Sequence, residues 1–171
     1  GTESGVRAPP DGYTLLYGSS SSFAVNPAVM KNLRFDAQKD LKLVGLVSYT
    51  PHVLVMRASL PANTLAELVA LAKAQPGKLT YASSGAGGAI HLATELFKRE
   101  AGVDIVHVPY RGGGPAVMGL LTGDVDVFIN DASTTVENIR ADKLKAVAVA
   151  WPMRSPLLPQ VPTFAELGFP T

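Results

Sequence analysis

Residues 81–91 read Y-A-S-S-G-A-G-G-A-I-H, so two serines and three glycines stand between an apparent strand and an apparent helix. Bare backbone in that setting serves three kinds of chemistry: a phosphate cradle, a nucleophile turn, or a loop that holds another anion. The dinucleotide fingerprint needs G-x-G-x-x-G, and Gly85-x-Gly87 supplies two of its three glycines. Ile90 occupies the third position, and Asp104, at the distance of a ribose contact, precedes its strand instead of ending it. A P-loop needs Lys-Ser or Lys-Thr after the glycines, which is absent here. The hydrolase elbow needs G-x-S-x-G, whereas A-S-S-G-A has no glycine two before either serine. His52, His91 and His107 match no ligand spacing such as H-E-x-x-H, so packed or surface histidines are expected and no metal site.

What survives is more general. Amides in the first turn of a helix lack intrahelical partners, the macrodipole adds about half a positive charge there, and glycines let a ligand approach the backbone. Ser83 and Ser84 add hydroxyl donors. Such a loop suits a carboxylate as well as a phosphate and needs no basic side chain. A tight strand-to-helix turn that uses glycine for positive φ is the other reading, and the loop alone leaves both open.

The elements that would hold this loop follow one another as strand, loop and helix. Tyr13–Tyr17, Leu43–Val47 and Val53–Met56 read as strands, with Gly18 and four serines after the first and Pro51 before the third. Thr64 and Glu67 form a T-x-x-E capping box for a helix whose apolar face is Leu65, Leu68, Val69 and Ala72, and Pro76-Gly77 stops it. A strand at Leu79–Ala82 leads through the loop to a helix over Ala89–Ala101, with Ala93, Leu96 and Phe97 turned inward and Gly102 at its end. Ile105–Val108 is a strand, P-Y-R-G-G-G at 109–114 a second glycine-rich loop, and Pro115 suits the first turn of a helix closed by Gly123. Val125–Ile129 and Leu144–Ala150 add strands around a helix near Thr134–Arg140. This order predicts an α/β sandwich with a mostly parallel sheet flanked by helices.

Composition narrows the partners. The 171 residues are 47% hydrophobic and 17% charged, enough to bury a substantial core. Fifteen basic against 14 acidic residues leave a net charge of +1, which argues against nucleic acid. Without cysteine there is no thiolate site or disulfide. No apolar run approaches the roughly 20 residues that span a bilayer, so direct membrane insertion is not expected.

An ordered set of motifs then resembles one family. Y-x-S-S-G-x-G-G-x-x-H-L at 81–92, H-V-P-Y-R-G at 107–112, L-L-T-G-D-V-D-V at 120–127, L-K-A-V-A-V at 144–149, Arg154 and P-Q-V-P-T-F-A-E-L-G at 159–168 are similar to the tripartite tricarboxylate transporter substrate receptors, or Bug receptors. P-D-G-Y-T-L-L at 10–16 and N-P at 26–27 extend the likeness upstream. The resemblance implies a type II periplasmic-binding-protein-like fold of two lobes closing on a small carboxylate, which is passed to the membrane permease subunits of the transporter. It implies a periplasmic location, no cofactor and no catalysis. Family members carry a signal sequence, a further strand and glycine-rich loop upstream, and a returning segment downstream. The expectation is therefore a fragment, with a partial lobe one at 1–50, lobe two at 51–171, and the return crossing near or beyond the end.

Mapped onto this sequence, the ligand-facing positions implied are Ser19, Ser20, Ser21 and Ser22; Ser83, Ser84, Gly85, Gly87 and Gly88; and Tyr110, Arg111 and Gly112. Asn130 and Asp131 follow a strand, where ligands gather in open parallel sheets. Plainer roles exist for several: Arg111 as a solvated rim charge, Tyr110 as packing over its loop, Asp131 as a helix cap. An aspartate repels a carboxylate, so the Ser83–Gly88 loop ranks first and Asp131 last. The alternative function is a small α/β enzyme using the glycine-rich loop for a nucleotide or an ester. It lacks a visible acid, base or nucleophile held by a partner. A receptor that signals by protein contact is the third option.

Overall fold

The computed structural model describes residues 2–169. The chain divides into two units, one of Gly1–Ser48 with Gly87–Ala89, the other of Tyr49–Ala86 with Ile90–Thr171.

In the first unit, α1 (Thr2–Val6), a π-helical turn at Ser21–Val25 and α2 (Asn26–Val29) are the regular elements. The expected strands at Tyr13–Tyr17 and Leu43–Val47 do not form. Both stretches are irregular and exposed, Tyr13 at 90% and Leu43 at 85%. Their β-prone residues have no neighbouring strand among the described residues, and strand propensity is realised only against a partner.

The second unit is a five-stranded sheet with helices on both faces. Its elements are β1 (His52–Arg57), α3 (Leu65–Ala74), β2 (Thr80–Ser83), α4 (Ala89–Ala101), β3 (Val106–Pro109), α5 (Gly113–Thr122), β4 (Val127–Asp131), α6 (Ala132–Arg140) and β5 (Leu144–Ala150). The strand order is β3-β2-β4-β1-β5. β2 pairs in parallel with β3 and β4, while β1 is antiparallel to β4 and β5. The sheet is mostly parallel, as expected, with four strands running one way and β1 running against them. It pairs His52 with Asp131 and with Ala150, so the chain enters the sheet at the edge where β4 and β5 end.

Alternation along the strands sends side chains to two cores. Leu54, Met56, Tyr81, Ile105, Val127 and Ile129 pack with Leu65, Leu68 and Phe97, under α3 and α4. Val53, Val55, Ala82 and Phe128 pack with Ala116, Leu120 and Val136, under α5 and α6. Strands buried on both faces explain the near-continuous apolar runs of β1 and β4. α4 departs from expectation: Phe97 and Thr94 are buried, whereas Ala93 and Leu96 are exposed. They line an open apolar groove with Trp151, Phe164 and Phe169, because the helix is apolar over a wider arc than the sheet covers.

Local signals hold where they are self-contained. Thr64 Oγ1 accepts from Glu67 N–H at 3.2 Å, and Glu67 reaches back to Asn63 N–H at 2.7 Å, one residue earlier than in the usual box. The stretch T-F-A-E repeats the device: Glu166 accepts from Thr163 N–H and returns its own N–H to Thr163 Oγ1, while Arg154 clamps the Glu166 carboxylate at 3.0 Å. Those hydrogen bonds, Arg154 first, hold the Glu166 carboxyl below its usual range. Thr64→Ala removes a cap that satisfies a first-turn amide, and its expected cost is about 1 kcal/mol. Urea unfolding should show that loss for Thr64→Ala and almost none for Thr64→Ser; equal midpoints for all three proteins would show that the cap contributes nothing.

Candidate functional site

Because β2, β3 and β4 run the same way, their carboxyl ends meet at one edge, and each leads into a helix: α4, α5 and α6. Three helix amino ends therefore gather there, each presenting N–H groups and partial positive charge. α5 begins at Gly112, with φ 113° and no side-chain cap. α6 begins at Asp131, whose carboxylate leaves the helix uncapped and lies 3.4 Å from His52 Nε2. The first amide of α6 donates instead to Pro51 O. Asn130 is buried and donates to Thr134 Oγ1 at 2.8 Å.

The loop after β2 is shaped by its glycines and by Ser83. Gly85 and Gly87 have φ of 147° and 77°, conformations that side chains resist. The space around the Gly85 Cα is open. Ser84 and Ala86 are exposed, and their amides make no hydrogen bond among the described residues. Ser83 differs from Ser84: it is fully buried, with Oγ donating to Gly85 O at 3.1 Å and lying 2.6 Å from His107 Nε2. Gly87–Ala89 groups with the first unit, where Ser21 Oγ accepts from Ala89 N–H at 3.1 Å. Ser19 O accepts from the Ser22 and Phe23 amides, while Ser20 precedes the π-helical turn.

The second glycine-rich loop is tied to the first, because Tyr110 N–H donates to Ser83 O at 2.9 Å. The Tyr110 ring lies across α5 at Gly119, where a Cβ would stand 2.3 Å from its hydroxyl. The Tyr110 ring thus packs over α5 while remaining partly exposed. Arg111 is exposed and makes no ion pair among the described residues. The edge thus collects Ser84, Gly85, Ala86, Arg111 and Gly112, while Ser83 and Tyr110 brace it from behind.

Sequence reasoning treated His107 as a packed histidine and missed its bond to Ser83. That bond depends on strand register, since Tyr81 pairs with His107 and Ser83 with Pro109, and only the period-two alternation puts Tyr81, Ser83 and His107 on one face. The rings of Tyr81, His107 and His91 stack, with centroids 4.8 Å and 4.1 Å apart along the series. Tyr81 donates to Glu95, which also takes Lys98 Nζ at 2.8 Å. Burial, then the Glu95 bond and charge, push the Tyr81 phenol far above its ordinary value. Burial opposes ionisation of Glu95, but hydrogen bonds from Lys98 and Tyr81 outweigh it and keep that carboxyl below its usual range. Burial, then the neighbouring His91, lower the His107 pKa. Serine and histidine at 2.6 Å have the spacing of a nucleophile and its base. Here the serine is closed off from solvent, its Oγ also lies 3.1 Å from Gly85 O, and Glu95 binds Tyr81.

Comparison with known proteins adds the family. A family model described as tripartite tricarboxylate transporter family receptor matches residues 1–171. Protein BugT of Bordetella pertussis (strain Tohama I) is 40% identical over 171 residues, covering 99% of this chain and 52% of that protein. The chain thus spans about half the length of the curated relatives it matches. A solved structure of a periplasmic transporter superposes with a TM-score of 0.95 at 42% identity, over 99% of this chain and 57% of the other. R. palustris Rpa4515 with adipate superposes at 0.94 and 33% identity, over 99% and 56%. The α/β fold is that of the periplasmic binding proteins, as the motif resemblance implied.

The lowered His107 pKa has a consequence for stability. Its ordinary value is 6.5, so between that value and the lowered one the unfolded chain binds more protons than the folded chain. The stability His107 contributes is full above 6.5 and falls as the pH drops through that window. Urea unfolding from about pH 7.5 to about pH 5.5 should show a declining free energy for the native protein and a shallower decline for His107→Gln. Parallel slopes would contradict the assignment.

Proposed function

The chain belongs to the tripartite tricarboxylate transporter receptor family, and we propose that it contributes a carboxylate-binding edge to a periplasmic receptor that delivers its ligand to the permease subunits of such a transporter. The observation that carries this reading is the loop of Ser84 to Gly88, where the exposed residues Ser84 and Ala86 have amides without a hydrogen bond among the described residues, beside converging helix amino ends. Amides and helix dipoles bind an anion without an excess of cations, which accords with a net charge of only +1. The family is one of receptors and not an enzyme class, and no helix among the described residues is long and apolar enough to cross a membrane. The adipate held by a structural relative supports a small dicarboxylate as the ligand class.

Within the edge, the amides of Ser84, Ala86 and Gly88 and the approach past Gly85 and Gly87 hold the carboxylate. The Ser84 hydroxyl adds a donor, and Gly112 extends the row of amides into the second loop. Arg111 adds a solvated charge at the rim, and Asp131, already facing His52, stays back from the ligand.

In the full-length receptor, Gly85→Val or Gly87→Val should abolish binding of adipate while leaving the fold in place, because a branched side chain obstructs the backbone and resists positive φ. Arg111→Ala should cost about 1 kcal/mol or less, as expected of an exposed charge. Calorimetric titration reads both. Normal binding by the glycine variants together with complete loss in Arg111→Ala would move the ligand to the second loop.

A further inference from the structure

The buried hydroxyl of Ser83 has three polar neighbours: Gly85 O at 3.1 Å, Gly85 N at 3.3 Å and His107 Nε2 at 2.6 Å. A hydroxyl offers one proton and two lone pairs. The amide of Gly85 can only donate, so it takes a lone pair. The carbonyl of Gly85 can only accept, so it takes the proton. One lone pair remains for His107, and the set is satisfied only when Nε2 carries a hydrogen.

That proton arrangement has a consequence in the loop. Across a trans peptide the C=O and the following N–H point in opposite directions. With Gly85 O drawn inward to the buried hydroxyl, the Ala86 N–H is turned away from it, toward the open side of the loop. Ala86 is exposed there. The φ of 147° at Gly85 permits this peptide orientation, and a side chain would resist it.

We propose that His107 is a positioning residue of the carboxylate site: its Nε2–H donates to Ser83, which commits the Ser83 proton to Gly85 O and aims the Ala86 amide at the ligand. This rests on the carboxylate-receptor reading above. The ring is fixed for the task by its stack on Tyr81 and His91, and Tyr81 is itself held by Glu95. The groups facing it are Tyr81 and Ser83 from β2 and His91, Glu95 and Lys98 from α4. Burial and His91 favour its neutral form, in which a hydrogen on Nε2 leaves Nδ1 as an acceptor.

The test uses the full-length receptor and two independent readouts. Nitrogen-15 NMR of the ligand-free protein at neutral pH should show His107 as the Nε2–H tautomer; the Nδ1–H tautomer overturns the proposal. Amide exchange at Gly85 should quicken at least tenfold in Ser83→Ala and in His107→Phe, which keeps an aromatic ring in the stack, and stay near the native rate in His107→Gln, which restores a donor at the same reach. An unchanged rate in His107→Phe also overturns it. Titration with adipate should show at least tenfold weaker binding for His107→Phe, rescue to within threefold by His107→Gln, and no further loss when His107→Phe is added to Ser83→Ala. Additive losses would mean that His107 acts independently of Ser83. If His107→Phe does not fold, the tautomer and the Ser83→Ala exchange rate still decide. Failure of the unmodified receptor to bind adipate counts against the ligand reading alone, because the tautomer and the exchange rates are measured without ligand.

Discussion

Strand β2 is hydrogen-bonded on both sides to parallel strands, and that double pairing sets where α4, α5 and α6 begin. Tyr81 and Ala82 pair with Val127 and Phe128 on one side, while Thr80–Ser83 pairs with Val106–Pro109 on the other. Parallel pairing aligns strand ends, so the three following helices present their amino ends along one edge. Asp126 secures the opposite end of the pairing. It accepts from Thr80 N–H at 2.8 Å, from Thr80 Oγ1 at 3.1 Å and from Arg57 Nε at 2.7 Å, joining β1, β2 and the start of β4. This carboxylate is mostly withdrawn from solvent, where charge-assisted hydrogen bonds are the strong ones. The register of the sheet is therefore determined at one end and used at the other.

How much of this was legible in the sequence follows from how far each signal reaches. The cap at Thr64, the stops at Gly102 and Gly123 and the proline-led start of α5 involve only neighbours in the chain, and all stand where the sequence placed them. The strands expected at Tyr13–Tyr17 and Leu43–Val47 needed partners that composition does not reveal. The direction of β1 was illegible for a related reason, since an apolar run buried on both faces looks the same in either orientation. α4 shows the limit of periodicity. Leu96 and Ala93 share a broad apolar arc with Phe97, but the sheet reaches only Phe97 and Thr94. The bond between Ser83 and His107, 24 residues apart, became visible only once the register was known.

The carboxylate site proposed above is made of amides, and such a site places its demands on the backbone. Gly85, Gly87 and Gly112 all hold positive φ, an arrangement that surrounding structure must over-determine if it is to persist. Ser83 supplies part of that constraint by bonding both the N–H and the C=O of Gly85. A buried polar group of this kind is costly unless fully satisfied, and His107 completes its set. The stacked rings behind His107 thus matter to the loop although none of them lies in it. The same logic separates the two serines that look alike in sequence: Ser83, at the end of β2, turns inward and organises, while Ser84, just past the strand, is exposed.

The two glycine-rich loops are also one mechanical unit. Tyr110 N–H donates to Ser83 O, so the turn after β3 hangs on the residue that shapes the turn after β2. The Tyr110 ring in turn lies against α5 where only glycine leaves room, because a Cβ at position 119 would stand 2.7 Å from the ring carbon that bears the hydroxyl. Gly119 is buried inside a helix, a position where glycine gives up about 1 kcal/mol of helix propensity relative to alanine. That sacrifice lets α5 approach Tyr110 closely and holds the second loop against the first. The two loops are then carried on a common frame, in which contacts run from Gly119 to Tyr110 and from Tyr110 through Ser83 to Gly85.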